Sequence, residues 1–134
     1  MSRYGRRASF DLEWVERWAR RVNEDRILPT IGRFFNHRFL IAFDDTEFLF
    51  EVQKGKIVRI SEGLTPNDFG FEFALRAPSS AWEKFSQPVP PPMFNDIWAM
   101  AHPLHKQLVI DGNQLSFWQN VRALTRMLAL MREI

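Results

Sequence analysis

The stretch Arg38-Phe39-Leu40-Ile41-Ala42-Phe43-Asp44-Asp45-Thr46-Glu47-Phe48-Leu49-Phe50-Glu51-Val52-Gln53-Lys54-Gly55-Lys56-Ile57-Val58-Arg59-Ile60 decides the fold. Phe39, Ile41 and Phe43 alternate with Arg38, Leu40 and Ala42; the run 47–52 alternates again, and 56–60 makes a third. A period of two sends successive side chains to opposite faces of an extended chain, so each run is a strand. Asp44-Asp45-Thr46 and Lys54-Gly55 carry turn chemistry. Strands joined by such short turns form an antiparallel meander.

Downstream, Ser61–Asp68, with Gly63 and Pro66, reads as a loop. A fourth strand follows, with Phe69, Phe71, Phe73 and Leu75 on one face and Gly70, Glu72, Ala74 and Arg76 on the other. One side of this sheet is strongly apolar and needs helices to cover it, because an exposed patch of that size promotes aggregation. Upstream, Ser9 is placed to cap a helix over 9–24, with Leu12, Trp14, Val15, Trp18, Ala19 and Val22 on one side. Ser80-Ala81-Trp82-Glu83 has the spacing of a capping box and opens a short helix to about Gln87. Pro88-Val89-Pro90-Pro91-Pro92 ends it and serves as a stiff connector rather than a polyproline ligand. Asn95 or Asp96 caps another short helix from Ile97 to about Ala101, closed by His102-Pro103. Leu108-Val109-Ile110 is a fifth strand. Asp111-Gly112-Asn113 then turns into one long helix over 114–133, whose main stripe is Phe117, Val121, Leu124, Met127, Leu128 and Met131. A thinner apolar set on that helix is Leu115, Trp118, Ala129 and Leu130.

The chain has 134 residues, the usual size of one domain. Residues 1–8 read as a disordered basic N-terminus and 9–134 as a single domain. Thirteen Phe and five Trp against one Tyr form an unusually apolar aromatic set that has to be buried. The absence of Cys excludes disulfides, Cys-ligated zinc and thiol nucleophiles. No apolar run is long enough for a signal-peptide core or a transmembrane segment, so the expected setting is cytoplasmic. A transient membrane contact is compatible with this composition. Residues 1–38 hold nine of the 18 Lys and Arg against five acids. Several of these arginines pair with Glu at i,i+4, at Glu13/Arg17 and Glu16/Arg20, as on a solvated helix face. Nucleic-acid binding is not expected, because the strand aromatics lie opposite a face of mixed charge.

Element order and three segments together resemble the sterol carrier protein type-2-like family. The segments are the hairpin Phe48–Ile57, the strand Phe71-Glu72-Phe73-Ala74-Leu75, and the strand-turn-helix Leu108-Val109-Ile110-Asp111-Gly112-Asn113. The likeness covers the chain beyond about residue 10 and suggests a bacterial-type stand-alone member. Arg132-Glu133-Ile134 is not the peroxisomal tripeptide carried by some eukaryotic members. The resemblance implies an α+β fold with a five-stranded, mostly antiparallel sheet covered by the N- and C-terminal helices, and short lip helices over an apolar cavity. It also implies reversible, non-catalytic binding or transfer of a lipid-like molecule of the sterol, fatty acid or acyl-CoA class.

The residues give a parallel argument. Trp82, Phe85, Met93, Phe94, Ile97, Trp98, Met100, Ala101 and Leu104 crowd into two short helices and a linker with few charges. A helix apolar nearly all round is packed on both sides or lines a cavity, and Met93, Met100, Met127 and Met131 suit irregular ligand shapes. The candidate ligand-binding residues are therefore Trp82, Phe85, Met93, Phe94, Ile97, Trp98, Met100, Leu104, Trp118, Val121, Leu124 and Leu128. Arg33, Arg38 and Lys106 are candidates for a head group. The competing class is an accessory domain whose apolar helices bury against a partner protein. No enzyme site, cofactor or metal is expected. His102 and His105 flank Pro103, Asp96, Asp111 and His37 do not complete a ligand set, and there is no Gly-rich phosphate loop.

Overall fold

The computed structural model describes residues 10–63, 70–102 and 106–134. Helix α1 (Leu12–Asn23) and a single turn, α2 (Leu28–Ile31), lead into strands β1 (Arg38–Phe43), β2 (Thr46–Gln53) and β3 (Lys56–Glu62). Then come β4 (Phe73–Ala77), α3 (Ser79–Phe85), α4 (Ile97–Ala101), β5 (Val109–Gly112), α5 (Gln114–Gln119), α6 (Val121–Ala129) and a closing 3-10 turn, Leu130–Glu133. The five strands lie in the order β3-β2-β1-β4-β5. All neighbours are antiparallel except β1 and β4, which pair in parallel from Phe39 opposite Phe73 to Phe43 opposite Ala77. The meander stands as the alternation and turns imply, and the five-stranded, mostly antiparallel α+β sheet as the resemblance implies. Among the described residues no helix is long and apolar enough to cross a membrane.

The central strand β1 is buried on both faces, as a near-continuous apolar run should be. Phe39, Ile41 and Phe43 enter the main core, and Leu40 and Ala42 form a smaller cluster with Ala74 on the opposite face. Cross-strand rings absorb much of the Phe excess: Phe39 stacks on Phe50 and on Phe73, each at 5.4 Å, in the offset geometry aromatic pairs prefer. Two buried indoles tie helices to their neighbours. Trp18 of α1 donates to the Met127 carbonyl at 2.8 Å, and Trp82 of α3 donates to the Ala42 carbonyl at 2.9 Å.

Four expectations need correction. Helix α1 begins at Leu12 and is capped by Asp11, whose carboxylate accepts from the Trp14 amide; Ser9 lies outside the described residues. Helix α3 begins at Ser79 with no side-chain cap, because the Pro78 carbonyl itself accepts from the Ala81 and Trp82 amides. Phe71 packs with Leu40, Ala42 and Ala74, on the face away from Phe73. The alternation breaks at Glu72, whose amide donates to the Arg38 carbonyl while its carboxylate accepts from the Arg38 amide; Phe69 lies outside the described residues. Finally, the long C-terminal helix is broken at Asn120, where the side chain donates to the Ser116 carbonyl at 2.8 Å and meets His37 Nδ1 at 3.3 Å. A side-chain amide that bonds the preceding turn competes with the helix ladder.

Candidate functional site

The candidate site is the lip made by α3, the proline connector and α4, laid against α5 and α6. Asp96 caps α4 by accepting from the Ala99 amide at 2.8 Å, and Asn113 caps α5 by accepting from the Ser116 amide. Beyond α4, the Met100 carbonyl accepts from the amides of Gln107 and Leu108, which returns the chain to the sheet edge at β5.

The twelve candidate ligand-binding residues divide into three groups. Trp82, Phe85, Phe94, Ile97, Met100, Leu124 and Leu128 are buried in the main core, and Val121 packs partly buried against it. Met93, Trp98 and Trp118 reach the surface, while Leu104 lies outside the described residues. Trp98 and Trp118 are 40% and 56% exposed, yet their rings stack at 5.0 Å with 16° between planes. Phe117, buried beneath them, meets Trp98 edge-on at 5.8 Å. Leu115, on the same short helix as Trp118, is also exposed. Apolar side chains thus run from the core to solvent along one edge of the molecule.

The lip is closed in this structure. The space between Phe85, Ile97, Leu128 and Arg132 holds about 40 Å³, room for a water or two, whereas a lipid-sized ligand needs several hundred. A wider cleft of about 490 Å³ lies on the other side of Arg132, between the start of α1, the end of α3 and the C-terminal turn. Glu13, Arg17, Glu83 and Gln87 give it mixed polarity.

Arg132 is the residue that sequence reasoning missed. Its guanidinium donates to the Phe85 carbonyl at 2.8 Å and to the Asn95 carbonyl at 2.7 Å, and it lies over the Phe85 ring at 4.5 Å. It lines both the closed space and the wider cleft, so it is the wall between them. Burial holds its pKa below the usual arginine value, with Asp96 pulling weakly the other way. The signal was present, since Arg132 continues the Leu124 and Leu128 stripe at intervals of four.

The other head-group candidates lie elsewhere. Arg33 bonds the Thr30 carbonyl beside α2, and Arg38 opens β1. Lys106 is exposed just ahead of β5. His37 is held by Asn120 and His102 closes α4, while His105 lies outside the described residues. Among the described residues no three His, Asp or Glu side chains are grouped as metal ligands.

No family model and no curated protein sequence matches the chain. Solved structures do. The crystal structure of sterol carrier protein 2 aligns with a TM-score of 0.68 at 12% identity, over 91% of this chain and 95% of that one. A conserved hypothetical protein of Thermus thermophilus, whose solution structure names sterol carrier protein as its possible identity, gives 0.66 at 12%, over 93% and 88%. UbiJ-SCP2, a ubiquinone synthesis protein, gives 0.57 at 11%, over 89% and 88%. The fold is the sterol carrier protein 2 fold, and it is the fold that these identities establish.

Proposed function

We propose that this chain binds and transfers a hydrophobic, lipid-like molecule of the sterol, fatty acid or acyl-CoA class without catalysing a reaction. The observation that carries the proposal is the lip itself. Two short helices joined by a proline connector bring Phe85 and Ile97 into the core beside Leu128 of α6, and leave Trp98, stacked on Trp118 of α5, half in water. Outside a ligand, a half-exposed indole stack is a cost in solvated apolar area, at roughly 25 cal/mol per Å²; around an acyl chain or sterol ring it is a ready-made contact. Two of the structural neighbours are named as a sterol carrier protein and a possible one, which supports the lipid-binding part of this reading.

Entry requires the lip to move. Helices of seven and five residues add few hydrogen bonds of their own, and Arg132 ties both ends of the connector through carbonyl groups. Releasing Arg132 would join the 40 Å³ space to the wider cleft and give an apolar chain a path towards Leu128 and Leu124. The guanidinium would then be free to meet a carboxylate or phosphate head group. Titration with a fatty acid, a sterol and an acyl-CoA ester, followed by tryptophan emission, tests the reading. Saturable quenching or a blue shift with at least one of the three supports it. No change with any, together with a stable complex with a protein partner, would replace it by the accessory-domain reading.

A further inference from the structure

A second surface, remote in sequence from the lip, carries cations and apolar side chains together. The turn after α2 and the β2–β3 turn are clamped against each other. The Asn36 side chain accepts from the Lys54 amide at 2.8 Å, the Phe35 carbonyl accepts from the Gly55 amide at 3.2 Å, and the His37 carbonyl accepts from the Val52 amide at 2.9 Å. The backbones touch: a Cβ on Gly55 would meet the Gly32 and Leu28 carbonyl oxygens at 3.0 Å, and Gly55 sits at φ +79. Only glycine fits there. The clamp builds a concave surface of about 570 Å³ lined by Arg33, Lys54, Lys56, Asn36, Gln53 and Val58, with no carboxylate. None of its three cations forms an ion pair among the described residues. Beside it Phe34 is 75% exposed, with the Arg33 guanidinium 4.9 Å from its ring, and Val58 in the lining is about half exposed.

We propose that the clamped 27–36 and 53–58 loops dock the protein on an anionic lipid surface, with Arg33, Lys54 and Lys56 against the head groups and Phe34 entering the interface. The cations fix the sign of the partner, and the apolar side chains fix its kind. A polyanion such as single-stranded nucleic acid rewards aromatic rings that stack bases, but Phe34 is accompanied by aliphatic Val58, which gains from an acyl layer and not from stacked bases. The inference does not depend on ligand carriage, because an empty protein would bind the same membrane.

Co-sedimentation of the full chain with vesicles of phosphatidylcholine containing about 30% phosphatidylglycerol, against pure phosphatidylcholine, tests it. Binding to the anionic vesicles only is expected, and weakening as salt rises. Each cation near such a surface contributes about five-fold, so Arg33→Ser/Lys54→Asn/Lys56→Ser should bind on the order of a hundred-fold more weakly. Asn is chosen at 54 because Lys54 sits at φ +52, which Asn tolerates. Phe34→Ser removes no core contact and should lower binding several-fold, so it carries the test if the triple variant unfolds. Equal binding to both vesicle types overturns the proposal, as does a folded triple variant that binds like the parent. Tighter binding of a single-stranded oligonucleotide than of vesicles, lost in the triple variant, would reassign the surface to nucleic acid.

Discussion

Trp98 on α4 and Trp118 on α5 stack face to face at 5.0 Å while both remain about half exposed. The pair lies over buried Phe117 and couples the lip to the start of the C-terminal helices. Under the proposed function the pair is a contact for an apolar ligand more than a stabilising core element. Replacing either indole by Ala should cost about 1 kcal/mol in a denaturant titration, the worth of one aromatic contact. The same variants should lower lipid affinity about ten-fold in a binding titration with an unlabelled fatty acid. Equal affinity in both single variants and in the double variant would remove the pair from the site.

Arg132 closes the lip by holding the Phe85 and Asn95 carbonyls. Arg132→Met keeps an apolar stem over the Phe85 ring and deletes both hydrogen bonds. Stability should fall by about 2 kcal/mol, within the range for hydrogen bonds to a charged group. Lipid association, followed by stopped-flow tryptophan fluorescence, should become faster. An unchanged association rate would show that the closed state is not held by this residue.

The end of α1 is fixed to α6 by Asp25 and Arg126. Asp25 is buried, accepts from Arg126 at 2.6 and 3.2 Å, and also receives the Ile27 and Leu28 amides. The Arg126 hydrogen bonds hold the Asp25 carboxyl below the usual carboxylate range, against the opposing effect of burial, and the Leu28 amide adds to the lowering. A carboxyl whose folded pKa is depressed contributes stability that is full above its unfolded value of about 3.9 and is lost as pH falls through the folded one. Asp25→Asn should therefore be destabilised by about 3 kcal/mol at neutral pH, with the gap to the parent narrowing below about pH 4 in urea titrations.

Gly112 ends β5 at φ +100, and a Cβ there would lie 2.6 Å from the Glu72 carbonyl oxygen and 2.8 Å from the Phe73 Cα. Both obstacles are backbone and cannot rotate away. Gly112→Ala should cost about 2–3 kcal/mol and loosen the β4–β5 edge. Faster amide exchange confined to the β4–β5 pairing would confirm where the strain falls.

Much of this fold is legible in the sequence because strand alternation and turn chemistry agree from Arg38 to Ile60, and local and global preferences there coincide. The bend at Glu72 and the break at Asn120 are hidden because each depends on a distant partner, Arg38 in one case and His37 in the other. The lip is half legible. Its crowding of Trp82, Phe85, Ile97 and Trp98 is plain, but which rings are core and which face water is decided by packing against α5 and α6. Arg132 was hidden by its charge, which suggests a solvated face, although its spacing from Leu128 places it on the buried one.

Lipid carriage is tested most directly by native mass spectrometry of the full chain purified from its own host without detergent, followed by organic extraction and identification of whatever is released. A bound species of defined mass, extractable as a single lipid class and lost or reduced in Trp98→Ala/Trp118→Ala, is the expected result. Protein that runs only at its own sequence mass, and that takes up neither fatty acid, sterol nor acyl-CoA when these are supplied, would contradict lipid carriage by this chain.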